Sequence, residues 1–125
     1  MKNRDEIVIL NEKHIPSLNS EESLAITKLK SVLKSHFTLC DLVLFGSKAR
    51  GDFERDSDTD ILIVAKDPDD FNNRSKVSDI VFEINMEFNT LLSCILRNES
   101  KWESGIGEYT AFIEDVAKEG IHIEI

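Results

Sequence analysis

The sequence predicts a mixed α/β fold of the α+β kind, in which helices cover a single mixed β-sheet. Two observations carry this. Segments with apolar residues at helical spacing are interleaved with short apolar runs of strand length. Their order is helix, strand, strand, helix, strand, helix, strand, the pattern of helices packed on a sheet. The chain has 125 residues, 41% of them hydrophobic and 31% charged. These values suit one soluble globular domain spanning residues 1–125.

Residues 6–10 read as a short strand, and residues 11–19 as a loop containing Pro16. Asn19 and Ser20 are good N-cap residues, and Glu21 and Glu22 place acid in the first turn. Leu24, Ala25, Leu29, Val32 and Leu33 then recur at helical spacing, which predicts a helix over 20–36. Leu39 to Phe45 is apolar apart from Asp41 and reads as a buried strand ending at Gly46. A polar segment follows over 48–57. Asp60 to Ala65 is the next strand, stopped by Asp67-Pro68-Asp69-Asp70.

Val77, Ile80, Val81, Ile84 and Phe88 mark a helix over 75–88. Thr90 to Leu96 reads as a strand, and Tyr109 to Lys118 as a last helix closed by Gly120. Residues 121–125 alternate as a terminal edge strand would, open to pairing with another chain and so to a homo-oligomer. Val43, Phe45, Leu62 and Val64 are expected in the core. Trp102 and Tyr109 are expected to pack against the last helix.

Composition also excludes functions. The net charge is −9, whereas binding to nucleic-acid phosphates needs a basic surface, so a polynucleotide substrate is disfavoured. No apolar run approaches the roughly 20 residues of a membrane span. The apolar stretch Ile7 to Leu10 is too short for a secretory leader, so a cytoplasmic location is expected. Cys40 and Cys94 form no metal-ligand pattern and are expected to be buried free thiols. His14, His36 and His122 are scattered, with no ligand spacing between them.

Gly46-Ser47 stands ten residues before Asp58-Thr59-Asp60. Asp58 and Asp60 are two apart at a strand start, so their carboxylates share one face. Side-by-side carboxylates repel, and a divalent cation such as Mg²⁺ or Mn²⁺ relieves the repulsion. Gly46 allows close backbone approach to a ligand, and Ser47 adds a hydroxyl donor. Lys48 and Arg50 are cations able to neutralise phosphate. Arg50 serves equally well in a salt bridge within the acidic loop. Taken singly, each element is commonplace, and segment 52–60 reads as a solvated acidic loop. Their conjunction at two strand ends points to metal-assisted phosphoryl or nucleotidyl transfer.

The segment Leu44-Phe45-Gly46-Ser47-Lys48-Ala49-Arg50-Gly51, with Asp56-Ser57-Asp58-Thr59-Asp60-Ile61-Leu62-Ile63-Val64, resembles the signature of the minimal nucleotidyltransferases. These belong to the DNA polymerase β-like nucleotidyltransferase superfamily, and the spacing is similar to that of MNT antitoxins paired with HEPN-domain toxins. The resemblance implies the nucleotidyltransferase fold. It implies that Gly46 and Ser47 hold a nucleoside triphosphate, with Arg50 matching a family arginine. It also implies that Asp58 and Asp60 are the catalytic, metal-binding carboxylates. The implied reaction is Mg²⁺-dependent transfer of a nucleoside monophosphate, AMP from ATP, to a hydroxyl acceptor such as one on a partner toxin.

Family members often carry a third acid on a later strand. Here the strand Thr90 to Leu96 has none. Leu91 aligns with the expected position, and a slip of one or two residues gives Asn89, Thr90 or Ser93. Glu83 and Glu87 lie upstream on the helix. Loss of a general base typically removes a contribution of about 10²–10⁴-fold. The alternative to a transferase is therefore a nucleotide-binding antitoxin module with weak or absent catalysis.

Overall fold

The computed structural model of the chain describes residues 7–54, 57–100, 112, 116 and 119–125. In chain order its elements are β1 (Ile9–Leu10), a 3₁₀ turn (Glu12–His14), α1 (Ser20–His36), β2 (Leu39–Phe45), α2 (Ser47–Arg50), β3 (Thr59–Ala65), α3 (Phe71–Phe88), β4 (Leu92–Asn98) and β5 (Ile121–Ile123). Phe112, Val116 and Glu119 are also helical. The rest of the helix expected over 109–118 lies outside the described residues, as do Trp102 and Tyr109.

Local chemistry sets the helix boundaries. The Asn19 side chain accepts the Glu22 N–H at 2.8 Å, and the Glu22 carboxylate accepts the Asn19 N–H at 2.9 Å. This capping box fixes the start of α1. Asp70 accepts the Asn73 N–H at 2.9 Å, so α3 begins a turn before the predicted Ser75. Asn89, at φ 54°, ends α3 in the left-handed region. The Asn85 amide then accepts the Thr90 hydroxyl and the Leu92 N–H, both at 2.9 Å. Those bonds hold Thr90 in the connection and delay β4 to Leu92, two residues past the expected start.

The sheet order is β1-β5-β2-β3-β4. β2 runs antiparallel to β3 and β5, whereas β3–β4 and β1–β5 are parallel. β5 is thus not an edge strand. It is flanked by β1 and β2, so the terminal segment's ladder groups are already paired within the chain. The edges are β1 and β4.

Each face of the sheet is apolar, as alternation along β2 and β3 requires. Ile26, Leu29 and Leu33 of α1, with Val77 and Ile84 of α3, bury Leu42, Leu44, Ile61 and Ile63. Val43, Leu62, Val64 and Val116 make a second cluster on the opposite face, with Phe45 and Phe112 against it. The last two rings meet edge-on at 5.4 Å. Both cysteines are free and partly buried. Burial first, and the charge of Asp60 second, push the Cys94 thiol up to about 12. No helix among the described residues is long and apolar enough to cross a membrane.

Gly120 delivers the chain from the last helical turn into β5. Its N–H donates to the Val116 carbonyl at 2.7 Å, and a Cβ there would clash with that carbonyl oxygen and lie 2.6 Å from Val43 Cγ1. Gly120→Ala is therefore expected to lower stability by about 1–3 kcal/mol, read as a reduced denaturant midpoint at unchanged slope.

Candidate functional site

Three strand ends meet at one edge of the sheet. β2 finishes at Phe45, which pairs with Asp60 near the start of antiparallel β3. The parallel strand β4 starts beside it, with Ser93 in register with Asp60. The predicted site residues Gly46, Ser47, Asp58 and Asp60 are brought together here.

Gly46 turns the chain at φ 73°, ψ −156°, a conformation close to glycine-only. A Cβ at this position would stand 2.5 Å from Asp60 Oδ2. The turn and the carboxylate are thus in direct proximity: the positive φ requires glycine, and any side chain here would also displace the Asp60 carboxylate. α2 follows immediately. The Ala49 and Arg50 amides both return to the Gly46 carbonyl at 3.1 Å. The Ser47 and Lys48 amides lead the helix, where no upstream carbonyl of the helix can receive them. Ser47 Oγ makes no hydrogen bond with another described residue.

Lys48 departs from its expected role. Its side chain turns inward, 3% exposed, and its ammonium donates to Glu22 Oε2 at 2.7 Å. It also lies 4.9 Å from the centre of the Phe53 ring. The Thr59 hydroxyl donates to the same Glu22 oxygen at 2.7 Å. Lys48 is therefore a buried strut, not a phosphate ligand. Glu22, read from the sequence only as a capping acid, joins α1 to α2 and to the start of β3. A lysine between Ser47 and Ala49 gives no local sign of which way it points. Burial raises the Glu22 carboxyl, but the Asn19 amide, Lys48 and Thr59 together outweigh it and hold the group below its ordinary value.

Thr59 points into the core, so alternation sends Asp58 and Asp60 to the opposite face. Asp58 is exposed and Asp60 half-buried. Burial first, and the Asp58 charge second, raise the Asp60 carboxyl, while Arg50 acts against the shift. Arg50 is itself engaged: Nε meets Asp52 at 3.2 Å and Nη1 meets Glu119 at 3.1 Å. Of its two predicted roles, the structure displays the salt bridge. Its charge still lies close enough to Asp60 to be felt there. His122, on the same face, pairs with Asp41 at 2.8 Å, a contact no sequence spacing announces.

No acid stands on β4. Ser93 is level with Asp60, and Leu91, whose carbonyl accepts the Thr59 N–H, is level with Asp58. Glu87 does not substitute, because it pairs with Lys28 at 2.5 Å on the helix-covered face. Among the described residues there is no cluster of three or more His, Cys, Asp or Glu able to hold a metal. The two hard carboxylate donors, with Asp60 raised by burial and by Asp58, fit a divalent cation that takes its remaining ligands from phosphate and water.

A sequence profile of the nucleotidyltransferase domain family matches residues 26–119. The chain belongs to that family. It is similar to two proteins of Methanocaldococcus jannaschii, both provisionally named protein adenylyltransferases. MJ0141 is 29% identical over 66% of this chain and 76% of its own length. MJ0604 is 31% identical over 79% of this chain and 94% of its own length. Solved structures share the fold. A toxin–antitoxin crystallised with AMP-PNP has a TM-score of 0.56 at 23% identity, covering 83% of this chain and 72% of its own. A provisionally assigned minimal nucleotidyltransferase has a TM-score of 0.54 at 20% identity, covering 82% and 95%. The nucleotidyltransferase fold expected from the sequence is the one observed.

The Lys48–Glu22 pair gives three expected outcomes. Lys48→Met leaves a buried carboxylate without its cation and should cost about 3–5 kcal/mol, measured by urea unfolding at neutral pH. Adding Glu22→Gln to that variant should recover part of the loss. Because the folded Glu22 value is depressed, its stabilisation is present above the unfolded value of 4.5 and fades as pH falls through the folded value. Glu22→Gln alone should therefore flatten the acid limb of the stability profile.

Proposed function

We propose that this chain is a Mg²⁺-dependent nucleotidyltransferase that moves AMP from ATP to a hydroxyl on another protein, acting as a single cytoplasmic domain. The observation that carries the proposal is the proximity of the Gly46 backbone to Asp60 Oδ2. It joins the phosphate-holding turn to the metal-binding carboxylate across two hydrogen-bonded strands.

In this assignment Gly46 admits the triphosphate close to the backbone, and Ser47 offers its amide and hydroxyl. Asp58 and Asp60 hold the cation. Bound Mg²⁺ would supply charge neutralisation at the α-phosphate and its leaving group. Arg50 supplies a positive charge at the mouth of the site, exchanging Asp52 or Glu119 for phosphate when nucleotide arrives. The chain itself contributes mainly orientation and preorganised charge. A protein acceptor is favoured by the names of the two Methanocaldococcus relatives. A toxin acceptor is favoured by the fold shared with a toxin–antitoxin complex, and one of the HEPN kind by the resemblance of the Gly46–Asp60 motif to MNT antitoxins.

The acid-free β4 favours a second assignment, an antitoxin-like module that binds nucleotide and its partner with slow or absent transfer. Incubation with α-labelled ATP and Mg²⁺, with and without the partner protein, separates the two. Transfer with release of pyrophosphate supports the enzyme. Asp58→Asn and Asp60→Asn should each reduce transfer to background. Label transfer that survives both changes together would sink the catalytic assignment.

A further inference from the structure

The strand order at the site gives it a direction. The Gly46-Ser47 turn follows β2, the carboxylates start β3, and Ser93 lies near the start of β4. β2 and β3 are antiparallel, and β3 and β4 are parallel, so all three ends fall on one edge of the sheet. Adjacent strands are about 4.8 Å apart. Turn, Asp60 and Ser93 are therefore three successive positions across that edge.

Register fixes the facing of Ser93. Ile61 pairs with Cys94 on the helix-covered face, whereas Leu62 pairs with Ile95 on the opposite one. Asp60 and Ser93, paired with each other, project with Leu62 and Ile95. Ser93 is exposed, β4 is an edge strand, and Ser93 Oγ makes no hydrogen bond with another described residue.

Displacement at phosphorus needs the incoming and leaving oxygens roughly in line. With the leaving pyrophosphate held over Gly46-Ser47, the incoming hydroxyl must come from the β4 side of Asp60. Ser93 is the hydroxyl already there. We propose that Ser93 is a site of self-nucleotidylation, accepting a nucleoside monophosphate from the triphosphate bound beside it. This rests on the nucleotide site assigned above. In the step, Ser93 Oγ forms a bond to the α-phosphorus and the bond from that phosphorus to the bridging oxygen breaks. Pyrophosphate departs, and the hydroxyl proton passes to water. The product would carry its nucleotide over β4, across the side from which an external hydroxyl must approach, and would block its own acceptor entrance.

The test uses the full chain with ATP and Mg²⁺, read by intact mass and by peptide mapping, with ATP binding followed in parallel by calorimetry. The expected result is a mass increment of one AMP per chain, mapped to Ser93. Ser93→Ala should lose the increment while still binding ATP, and Ser93→Thr should restore it. An increment that persists in Ser93→Ala or maps elsewhere overturns the proposal. So does unmodified protein that nevertheless binds ATP, and this leaves the nucleotide site standing. Failure of the unsubstituted chain to bind ATP removes both the nucleotide site and the proposal.

Discussion

The Glu22 carboxylate is the constraint on which the arrangement of the site depends. One side chain closes the capping box of α1, receives the Lys48 ammonium from α2 and receives the Thr59 hydroxyl from β3. Lys48 is one residue from the Gly46-Ser47 turn, and Thr59 lies between the two aspartates. The two halves of the motif are thus referred to one buried anchor on the far side of the backbone from the outward-facing carboxylates. A buried charge is tolerated only when paired and hydrogen-bonded. Glu22 meets that condition with three donors, and removing any of them shifts the balance for the others. The protein places its structural charge inside and leaves Asp58, Asp60 and Ser47 facing outward.

Charge on the outer side is distributed differently. Asp60 is raised by burial and by Asp58, and Arg50 opposes this while bound to Asp52 and Glu119. Among the described residues, the outer side carries excess negative charge that the Arg50 guanidinium only partly offsets. On the proposed function, a metal–triphosphate complex would bring both a cation for the carboxylates and an anion for Arg50. On that same proposal, a chain of net charge −9 would bind a polyanion through the cation, without a basic surface.

Much of this was legible in the sequence because it is local. The cap at Asn19, the apolar run of β2, the glycine at its end and the paired aspartates are all set by neighbours within a few residues. What was not legible depends on long-range pairing. Lys48 looks like a phosphate ligand until α1 is packed behind it, and Glu22 looks like a surface acid for the same reason. The alternation of 121–125 predicts a strand, but its place between β1 and β2 follows from a parallel pairing with Ile9 and Leu10. The start of β4 was displaced by Asn85, whose amide reaches forward to Leu92. The β3–β4 register sets Leu91 level with Asp58 and Ser93 level with Asp60, so the acid-free strand sets a hydroxyl beside the carboxylates.

The most direct test of the central claim is calorimetric titration of ATP into the unmodified chain with and without Mg²⁺. The account predicts saturable, one-to-one binding that requires the cation, because Asp58 and Asp60 repel an uncomplexed triphosphate. Binding of equal strength in the presence of a chelator, or no binding with Mg²⁺ in excess, would contradict it.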